Sequence, residues 1–237
     1  MRLVVTRPAA DAERTAVALR LRGHAVTVAP VLHVESLPDA PIGDGPWAAI
    51  LVTSANAAPA VAAHARFAEL RALPVLAVGE RSAQAMREAG FADVSSSDGT
   101  AGDLVRLAAA RRGQGLPLLY LAGVDRSRDI AADLGAQNIP VRTVVVYRAL
   151  AAEVLPPSAE EALVAGIDGV LHYSRRSAGV WLKLTDNAAW RERALNGPIH
   201  FCLSAQVGEP LVQARLPDVR VAAQPTEAAL FAKIPAT

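Results

Sequence analysis

The sequence predicts an α/β protein built on parallel sheets, and three observations support this class. Short runs of β-branched and other apolar residues alternate along the chain with segments that have helical periodicity. Many of these runs end in a small polar residue or a glycine directly before the helical segment, as at the strand-to-helix boundary of an α/β unit. Hydrophobic residues make up 52% of the 237 positions, which is enough for sizeable buried cores.

The chain begins with a predicted βαβ motif. Leu3–Thr6 is a continuous apolar run, as expected of a strand that is buried on both faces. Asp11–Arg22 has the apolar spacing of an amphipathic helix, and Gly23 follows where a helix C-cap is expected. Ala25–Ala29 is predicted to be the next strand, which Pro30 ends. A right-handed parallel crossover is therefore expected here.

The rest of the chain repeats this alternation. Further strands are predicted at Ala48–Thr53, Pro74–Val78, Asp93–Ser95, Leu118–Ala122, Val141–Tyr147, Gly169–Tyr173, Ile199–Leu203 and Val219–Ala222. Helices are predicted after Asn56, over Ser82–Ala89, Gly102–Arg111, Arg128–Gln137 and Thr226–Ile234, and between the last strands.

Two turn-rich stretches predict the domain organisation. Leu37–Pro46 and Glu153–Ser158 are rich in proline and other turn formers, and the segment between them holds a complete set of strands and helices. The first βαβ motif is too small to bury its own core, so it needs sheet partners from elsewhere in the chain. We therefore expect a discontinuous domain of residues 1–36 and 150–237, an inserted domain of residues 37–149, and a ligand cleft between these two lobes.

Composition and charge exclude several classes of protein. The net charge of +1 argues against a nucleic-acid binder, because such proteins usually carry a strong basic excess. A single cysteine excludes an intramolecular disulfide and fits a reducing compartment. The apolar run at the N-terminus is too short for a signal peptide, and no stretch approaches the roughly 20 apolar residues of a membrane span. A cytoplasmic protein is expected.

The sequence carries no signature of a cofactor or metal enzyme. The motifs G-x-G-x-x-G, G-x-x-x-x-G-K-[ST] and G-x-S-x-G are absent. The five histidines do not have the spacing of metal ligands. We therefore expect neither cofactor nor metal. Cys202 lies in an apolar predicted strand and is expected to be an inert buried thiol.

Polar side chains at the ends of the predicted strands are the candidates for ligand binding. Each of them could instead cap a helix, but the carboxyl ends of parallel strands meet at one edge of a sheet, so the set favours a shared anion site. The set comprises Thr6, Thr53, Ser54, Ser82, Ser174 and Ser204. Arg7 follows the first strand and is interpreted either as a partner for a carboxylate or as an ordinary surface arginine.

Tyr147 ends a predicted strand shortly before the second turn-rich stretch. We expect it near the junction of the lobes, where its hydroxyl could donate a proton or a hydrogen bond. The alternative is an aromatic side chain that fills the seam between the lobes. Aromatic residues make up only 4% of the chain, so a flat ligand held between stacked rings is not expected.

Short sequence blocks spaced along the whole chain form an ordered pattern. They include Val5–Pro8, Val52–Asn56, Ala77–Ala83, Gly99–Leu104, Tyr120–Gly123, Val145–Arg148, His172–Ser174, Cys202–Ser204 and Pro225-Thr226. In this order and spacing the chain resembles the bacterial uroporphyrinogen-III synthase family. Two blocks depart from the family pattern: a glycine is replaced by Phe201, and the usual Arg-Gly pair is Ala122-Gly123 here.

The resemblance implies both a fold and an activity. The fold would consist of two flavodoxin-like lobes with parallel sheets, joined by a two-stranded connector, with a cleft between them. The activity would be that of a cofactor-free lyase in tetrapyrrole biosynthesis. It dehydrates and cyclises the linear polycarboxylate hydroxymethylbilane, with inversion of the terminal pyrrole, to give uroporphyrinogen III. A monomer is implied, with a possible hand-over from hydroxymethylbilane synthase and no nucleic-acid or membrane partner.

The resemblance also implies roles for individual residues. Tyr147 matches the tyrosine proposed in the family as the proton donor to the leaving hydroxyl. Substrate-binding positions are implied at Arg7, Thr53, Ser54, Asn56, Gly79, Ser82, Gly123, Tyr173, Ser174 and Ser204. Because the arginine that usually precedes Gly123 is missing, Arg126 or Arg128 is a candidate for its contact.

Two other functions are left open by the residues themselves. A non-catalytic bilobal binding or sensing module for an acidic metabolite would use the same strand-end donors. A two-lobed glycosyl or nucleotide transferase is the other alternative, and the absence of a recognisable diphosphate loop counts against it.

Overall fold

The computed structural model describes residues 1–97, 100–111, 115–126 and 128–235, so Gly99 of the matching blocks lies outside the described residues. The chain divides into two compact units, the first of Met1–His33 with Leu150–Thr237 and the second of Val34–Ala149. The sequence places the first crossing between residues 36 and 37 instead of 33 and 34, because it does not predict the strand that carries the chain across this boundary.

Strands are spread over both units. They are β1 (Arg2–Val5), β2 (Ala25–Val28), β3 (Leu32–Ser36), β4 (Ile50–Val52), β5 (Val75–Val78), β6 (Val94–Ser97), β7 (Leu118–Gly123), β8 (Val141–Ala151), β9 (Gly169–His172), β10 (Ile199–Cys202) and β11 (Val219–Val221). Of these, β3 is the strand that the sequence does not predict.

Helices connect most of these strands. They are α1 (Ala9–Arg20), α2 (Ala57–Ala62), α3 (Phe67–Leu70), α4 (Gly79–Glu88), α5 (Ala101–Ala110), α6 (Ile130–Gly135), α7 (Pro157–Ala165), α8 (Arg175–Thr185), α9 (Ala205–Gln213) and α10 (Glu227–Phe231). A short π-helical segment, Glu192–Asn196, precedes β10. The predicted α/β class with parallel sheets is confirmed.

The first unit contains a five-stranded parallel sheet in the order β11-β10-β9-β1-β2. Numbered along the chain within this unit, the order is 2-1-3-4-5, which is that of flavodoxin-like folds. The order reverses between β1 and β9. In such sheets ligands bind outside the carboxyl ends of the strands at this reversal, the topological switch point.

The second unit contains a six-stranded sheet in the order β3-β8-β7-β4-β5-β6, in which β4 to β8 are parallel. Counted from β4, these parallel strands run in the order 3-2-1-4-5, the other common doubly wound arrangement. Their switch point lies between β4 and β7. The strands that cross from one unit to the other, β3 and β8, are neighbours in this sheet and form the predicted two-stranded connection.

Each sheet is covered by apolar side chains on both faces, because successive residues of a strand point to opposite sides. In β4, Ile50 and Val52 belong to one buried cluster and Leu51 belongs to the other. In β1, Val4 packs on one face and Leu3 and Val5 on the other. This two-sided burial explains why the strands read as continuous apolar runs in the sequence.

The strand-end hydroxyls do not all cap helices. Ser174 and Ser204 do, since their side chains accept hydrogen bonds from the backbone N–H of Ser177 and Val207. Thr6 instead donates its hydroxyl to the carbonyl of Leu171 in the neighbouring strand, at 3.0 Å.

Ser82 does not cap a helix either. It lies inside α4, because β5 passes directly into this helix through Gly79. Gly79 has a φ of +71°, in the region that favours glycine. The predicted start of this helix, at Ser82, is therefore wrong. Ser82 faces inward and is only 5% exposed.

Candidate functional site

A cavity of about 340 Å³ lies at the switch point of the second unit. Residues that follow β4 and β7 form its walls, together with side chains from the neighbouring strands, α5 and α6. The lining residues are Thr53, Ser54, Val78, Ala101, Tyr120, Asp125, Arg126, Arg128, Ile130 and Tyr147. The cavity therefore lies where a doubly wound sheet is expected to bind its ligand.

Two tyrosines reach this cavity from opposite faces of the sheet. Tyr120 is buried in the apolar cluster on one face, and Tyr147 packs partly against the cluster on the other. The hydroxyls of Thr53 and Tyr120 are 3.0 Å apart and form a hydrogen bond. The Tyr147 hydroxyl interacts with the side chain of Ser54. The two consecutive residues after β4 thus pair with one tyrosine each.

The Tyr147 ring rests against the backbone of Gly123. A Cβ atom at Gly123 would lie 2.6 Å from Cε2 and 2.9 Å from the hydroxyl oxygen of Tyr147, which is closer than real side chains approach. A register shift brings the two residues together: Ala122 pairs with Val145 and Gly123 with Tyr147, so Val146 is the extra residue in β8. Gly123 therefore provides the space that the phenol occupies.

The environment of Tyr147 keeps its phenol protonated. Burial raises its pKa above the usual value, and the nearby Tyr120 and Asp125 raise it further, although hydrogen bonds to Ser54 and Gly123 act in the opposite direction. A phenol with a raised pKa carries its proton at neutral pH. It can therefore donate a hydrogen bond or a proton to a group in the cavity.

Two arginines add positive charge at the cavity wall. Arg126 donates from Nη1 to the carbonyl of Gly123 at 3.3 Å. This bond holds its guanidinium near the residue on which the Tyr147 ring rests. Arg128 forms an ion pair with Asp133. Asp125 and Asp133 offset the two positive charges, so these arginines offer hydrogen-bond donors to an anionic ligand without a net positive charge.

Four predicted site residues of the second unit are not among those that line this cavity. Asn56 donates its backbone N–H to Ser54 Oγ at 3.2 Å and so holds a residue that does line it. Gly123 shapes the wall through Tyr147, as described above. Gly79 forms the strand-to-helix turn, and Ser82 is buried in α4. Substrate contacts by these four stay predictions.

The switch point of the first unit brings together Arg7, which follows β1, and Tyr173, which follows β9. The Arg7 guanidinium carbon lies 4.1 Å from the centroid of the Tyr173 ring. Arg7 also contacts two carboxylates of the protein, Asp11 at 3.3 Å and Glu227 at 3.5 Å. Arg7 thus has carboxylate partners within the chain, and the substrate contacts of Arg7 and Tyr173 stay predictions.

Glu227 collects several donors at this switch point. Its Oε1 accepts hydrogen bonds from the Thr15 hydroxyl at 2.6 Å and from the Tyr173 hydroxyl at 2.8 Å, besides the contact with Arg7. Burial raises the pKa of Tyr173, and its hydrogen bond to Glu227 adds to this, so the phenol remains a donor. Ser174 and Ser204 lie at the starts of α8 and α9 in the same unit, where they act as helix caps. Their contacts with a substrate stay predictions.

A pair of buried histidines lies next to this switch point, with His172 at the end of β9 and His200 in β10. His172 Nε2 and His200 Nδ1 are 3.1 Å apart, and His200 Nε2 lies 3.1 Å from the carbonyl of Leu195. Burial lowers the pKa of His200 to about 4 and that of His172 well below its usual value. Cys202 is buried nearby, and burial raises its pKa to about 12, which agrees with the expected inert thiol.

Sequence reasoning missed several residues of the cavity. Tyr120 is the main one, and its signal was available: it is a tyrosine in an otherwise aliphatic buried strand, and a buried hydroxyl needs a partner. Asp125 and Ile130 belong to the segment after β7 and carry no recognisable motif. Across residues 1–97, 100–111, 115–126 and 128–235, no cluster of three or more histidine, cysteine, aspartate or glutamate side chains could hold a metal ion.

A comparison with protein families gives the family of the chain. The profile described as "Uroporphyrinogen-III synthase HemD" matches residues 13–232. The chain belongs to this family. Its members are enzymes of tetrapyrrole biosynthesis, and the resemblance predicted from the ordered blocks is confirmed.

Solved structures of uroporphyrinogen-III synthases resemble this member of the family. The Helicobacter pylori 26695 enzyme aligns with a TM-score of 0.65 and 16% identity, covering 98% of this chain and 97% of the other. A mutant enzyme of the extremely thermophilic bacterium Thermus thermophilus aligns with a TM-score of 0.49 and 17% identity, covering 98% and 96%. The fold likeness rests on the first of these. A search of curated proteins gave no significant match. Within the described ranges, no helix is long and apolar enough to cross a bilayer.

Proposed function

We propose that this protein is a lyase that converts hydroxymethylbilane into uroporphyrinogen III without a cofactor. The observation that carries this proposal is the family match over residues 13–232. The second unit supports it, since its switch point forms a cavity with hydroxyl donors, arginines and a protonated phenol. These groups suit a flexible polycarboxylate, which needs donors for its acetate and propionate groups more than it needs a nucleophile.

Tyr147 is proposed as the proton donor in the first step. The C–O bond of the terminal hydroxymethyl group breaks, the leaving hydroxyl takes the phenol proton and departs as water, and the pyrrole nitrogen stabilises the cationic azafulvene that remains. The substituted α-carbon of the last pyrrole then attacks the azafulvene carbon and gives a spiro intermediate. The bond from that α-carbon to its original methylene bridge breaks next, which leaves a second azafulvene on the neighbouring ring, and the free α-carbon of the last pyrrole attacks it to close the macrocycle. Loss of the proton from this free α-carbon restores aromaticity, and the proton returns to the Tyr147 phenolate. The raised pKa of Tyr147 supports a donor that is protonated before the reaction begins.

Holding the linear substrate in a ring-closing conformation is the other part of the proposed catalysis. A positioned intramolecular reaction can gain about 7–11 kcal/mol over an unpositioned one, against about 10²–10⁴-fold from general acid catalysis. We assign substrate contacts in the second unit to Thr53, Ser54 and Arg126, which line the cavity beside Tyr147. The cleft between the two units stays a prediction.

The product isomer tests the proposal directly. Purified protein is incubated with hydroxymethylbilane, the products are oxidised to porphyrins, and the type I and type III isomers are separated chromatographically. We expect the type III isomer to dominate, whereas a protein-free incubation gives the type I isomer of spontaneous closure. Formation of the type I isomer alone, at the spontaneous rate, would exclude the synthase and leave a non-catalytic binding protein.

A cytoplasmic monomer that receives its substrate from hydroxymethylbilane synthase completes the proposal. The single buried cysteine supports a protein that works in a reducing compartment. Spontaneous closure of the substrate to the wrong isomer supports a rapid hand-over. Sedimentation of the protein, alone and mixed with hydroxymethylbilane synthase, tests both the monomer and the transient complex.

A further inference from the structure

Tyr120 is a cavity residue to which the proposed mechanism gives no role. It lies in β7, its side chain is only 2% exposed, and its ring packs in the apolar cluster of one sheet face. Its hydroxyl nevertheless reaches the cavity, where it lies 3.0 Å from Thr53 Oγ1. A phenylalanine would fill the same space in the cluster, so packing explains the ring of Tyr120 but not its hydroxyl.

The direction of the hydrogen bond decides what the hydroxyl does. A phenol is a stronger acid than an aliphatic alcohol, so the Tyr120 hydroxyl is the better donor of the pair. When it donates to Thr53 Oγ1, the proton of the threonine hydroxyl is left to point elsewhere. Thr53 is partly exposed and lines the cavity, so this proton is available to a ligand. Hydrogen bonds in such a chain also polarise one another, which makes the outer donor stronger.

We infer that Tyr120 is a positioning residue: its phenol donates to Thr53 Oγ1 and thereby directs the Thr53 hydroxyl proton into the cavity, towards a carboxylate of the substrate. This inference rests on the proposed function, since it takes the acidic side chains of hydroxymethylbilane as the acceptor. It separates the roles of the two tyrosines. Tyr147 faces the reacting group, and Tyr120 acts on the substrate only through Thr53.

Three variants test the coupling between the two hydroxyls. Tyr120→Phe keeps the ring and removes the donor, Thr53→Val keeps the shape and removes the acceptor, and the third variant combines both changes. We expect each single variant to raise KM for hydroxymethylbilane about 2- to 10-fold, the usual effect of one neutral hydrogen bond, with a smaller change in kcat. The double variant should be no worse than Thr53→Val, because Tyr120 acts through Thr53.

Thr53→Ser provides the conservative rescue. It restores a hydroxyl at position 53, so KM should return close to the wild-type value when Tyr120 is present. In the Tyr120→Phe background, Thr53→Ser and Thr53→Val should give similar KM values, because the phenol that orients the hydroxyl is missing. A role of Tyr120 in packing alone predicts no such dependence on the residue at position 53.

Thr185→Val is the matched control for loss of a buried hydroxyl. Thr185 lies in the first unit, is fully buried and donates to the carbonyl of Trp181 at 2.7 Å. This variant should lose stability with KM unchanged, as judged from thermal unfolding and steady-state kinetics. If Tyr120→Phe behaves in the same way, or if the effects of Tyr120→Phe and Thr53→Val simply add, the positioning role is wrong.

The outcome of this series is distinguishable from failure of the proposed function. If the wild-type protein forms no type III isomer, the synthase proposal itself fails. If the wild-type protein is active and Tyr120→Phe has wild-type KM and kcat, only the positioning role fails. The same assay with hydroxymethylbilane therefore reports on both statements separately.

Discussion

The switch points of the two sheets are built from the same parts but use them differently. In the second unit the strand ends surround a cavity into which Thr53, Ser54 and Tyr147 point. In the first unit the corresponding donors, Arg7 and Tyr173, are engaged by carboxylates of the chain itself. In both sheets the hydrogen-bond donors lie at the switch point, at the carboxyl ends of the strands. Whether a donor is available to a ligand depends on the side chains around it.

Replacement of Tyr147 tests the catalytic side of this comparison with the largest expected effect. Tyr147→Phe should lower kcat about 10²- to 10⁴-fold, since it removes the proposed general acid and keeps the ring on Gly123. Tyr173→Phe, at the other switch point, should change kcat much less, because its hydroxyl serves Glu227. Single-turnover kinetics measure both. An unchanged rate for Tyr147→Phe would assign the proton to solvent or to a substrate carboxyl.

Low pH should reduce the stability of the first unit because of its buried histidine pair. His200 has a folded-state pKa of about 4 against about 6.5 when unfolded, so the unfolded chain binds more protons between these values. The contribution of neutral His200 to the free energy of unfolding is about 3 kcal/mol. It is complete above pH 6.5 and is lost as the pH falls towards 4. Urea unfolding at stepped pH measures this loss. His200→Asn should reduce the slope without abolishing it, because burial also lowers the pKa of His172, and an unchanged slope in that variant would contradict the assignment.

A side chain at position 123 should displace the Tyr147 phenol. Gly123→Ala places a Cβ atom where the ring now lies, and a shift of about 1 Å at a catalytic group can cost about 10²-fold in rate. Gly135→Ala is the matched control in the same unit, since a Cβ atom there meets nothing within 4 Å. Steady-state kinetics should show a loss for the first variant alone. Equal activity of Gly123→Ala and Gly135→Ala would show that the Tyr147 ring can move without loss of activity.

Removal of the Glu227 charge has the smallest expected effect and tests whether the first switch point contacts the substrate. Glu227→Gln keeps the shape but weakens the hydrogen bonds from Thr15 and Tyr173, so stability should fall by about 1 kcal/mol. KM should change by less than about twofold. Thermal unfolding and kinetics measure the two quantities. A tenfold lower KM would show instead that the released Arg7 binds the substrate.

The sequence predicts the alternation of strands and helices because buried parallel strands are continuous apolar runs. It fails at β3, whose residues His33 and Glu35 interrupt the apolar pattern. An edge strand tolerates such residues because one side of it has no strand partner. The start of α4 is missed because Gly79 allows β5 to pass into the helix without a capping side chain.

Part of the candidate site follows from the same reasoning. Thr53 and Ser54 are predictable because they are polar residues at the end of a predicted strand, whereas the reversal of strand order beside them is visible only in the structure. The contact between Gly123 and Tyr147 is not predictable, since it depends on one extra residue in β8 that leaves no mark in the apolar pattern. For Arg7 the sequence shows a cation at the correct strand end but not the distant Glu227 that engages it.

The extra residue in β8 has a consequence for the placement of the Tyr147 phenol. Because side chains alternate across a strand, the inserted Val146 sets the side of the sheet on which the following residues lie. Loss of a single codon there would turn Tyr147 and the residues after it in β8 to the opposite side of the strand, so the phenol would leave its place on Gly123. The length of this strand therefore fixes the position of the phenol as firmly as the identity of residue 147 does.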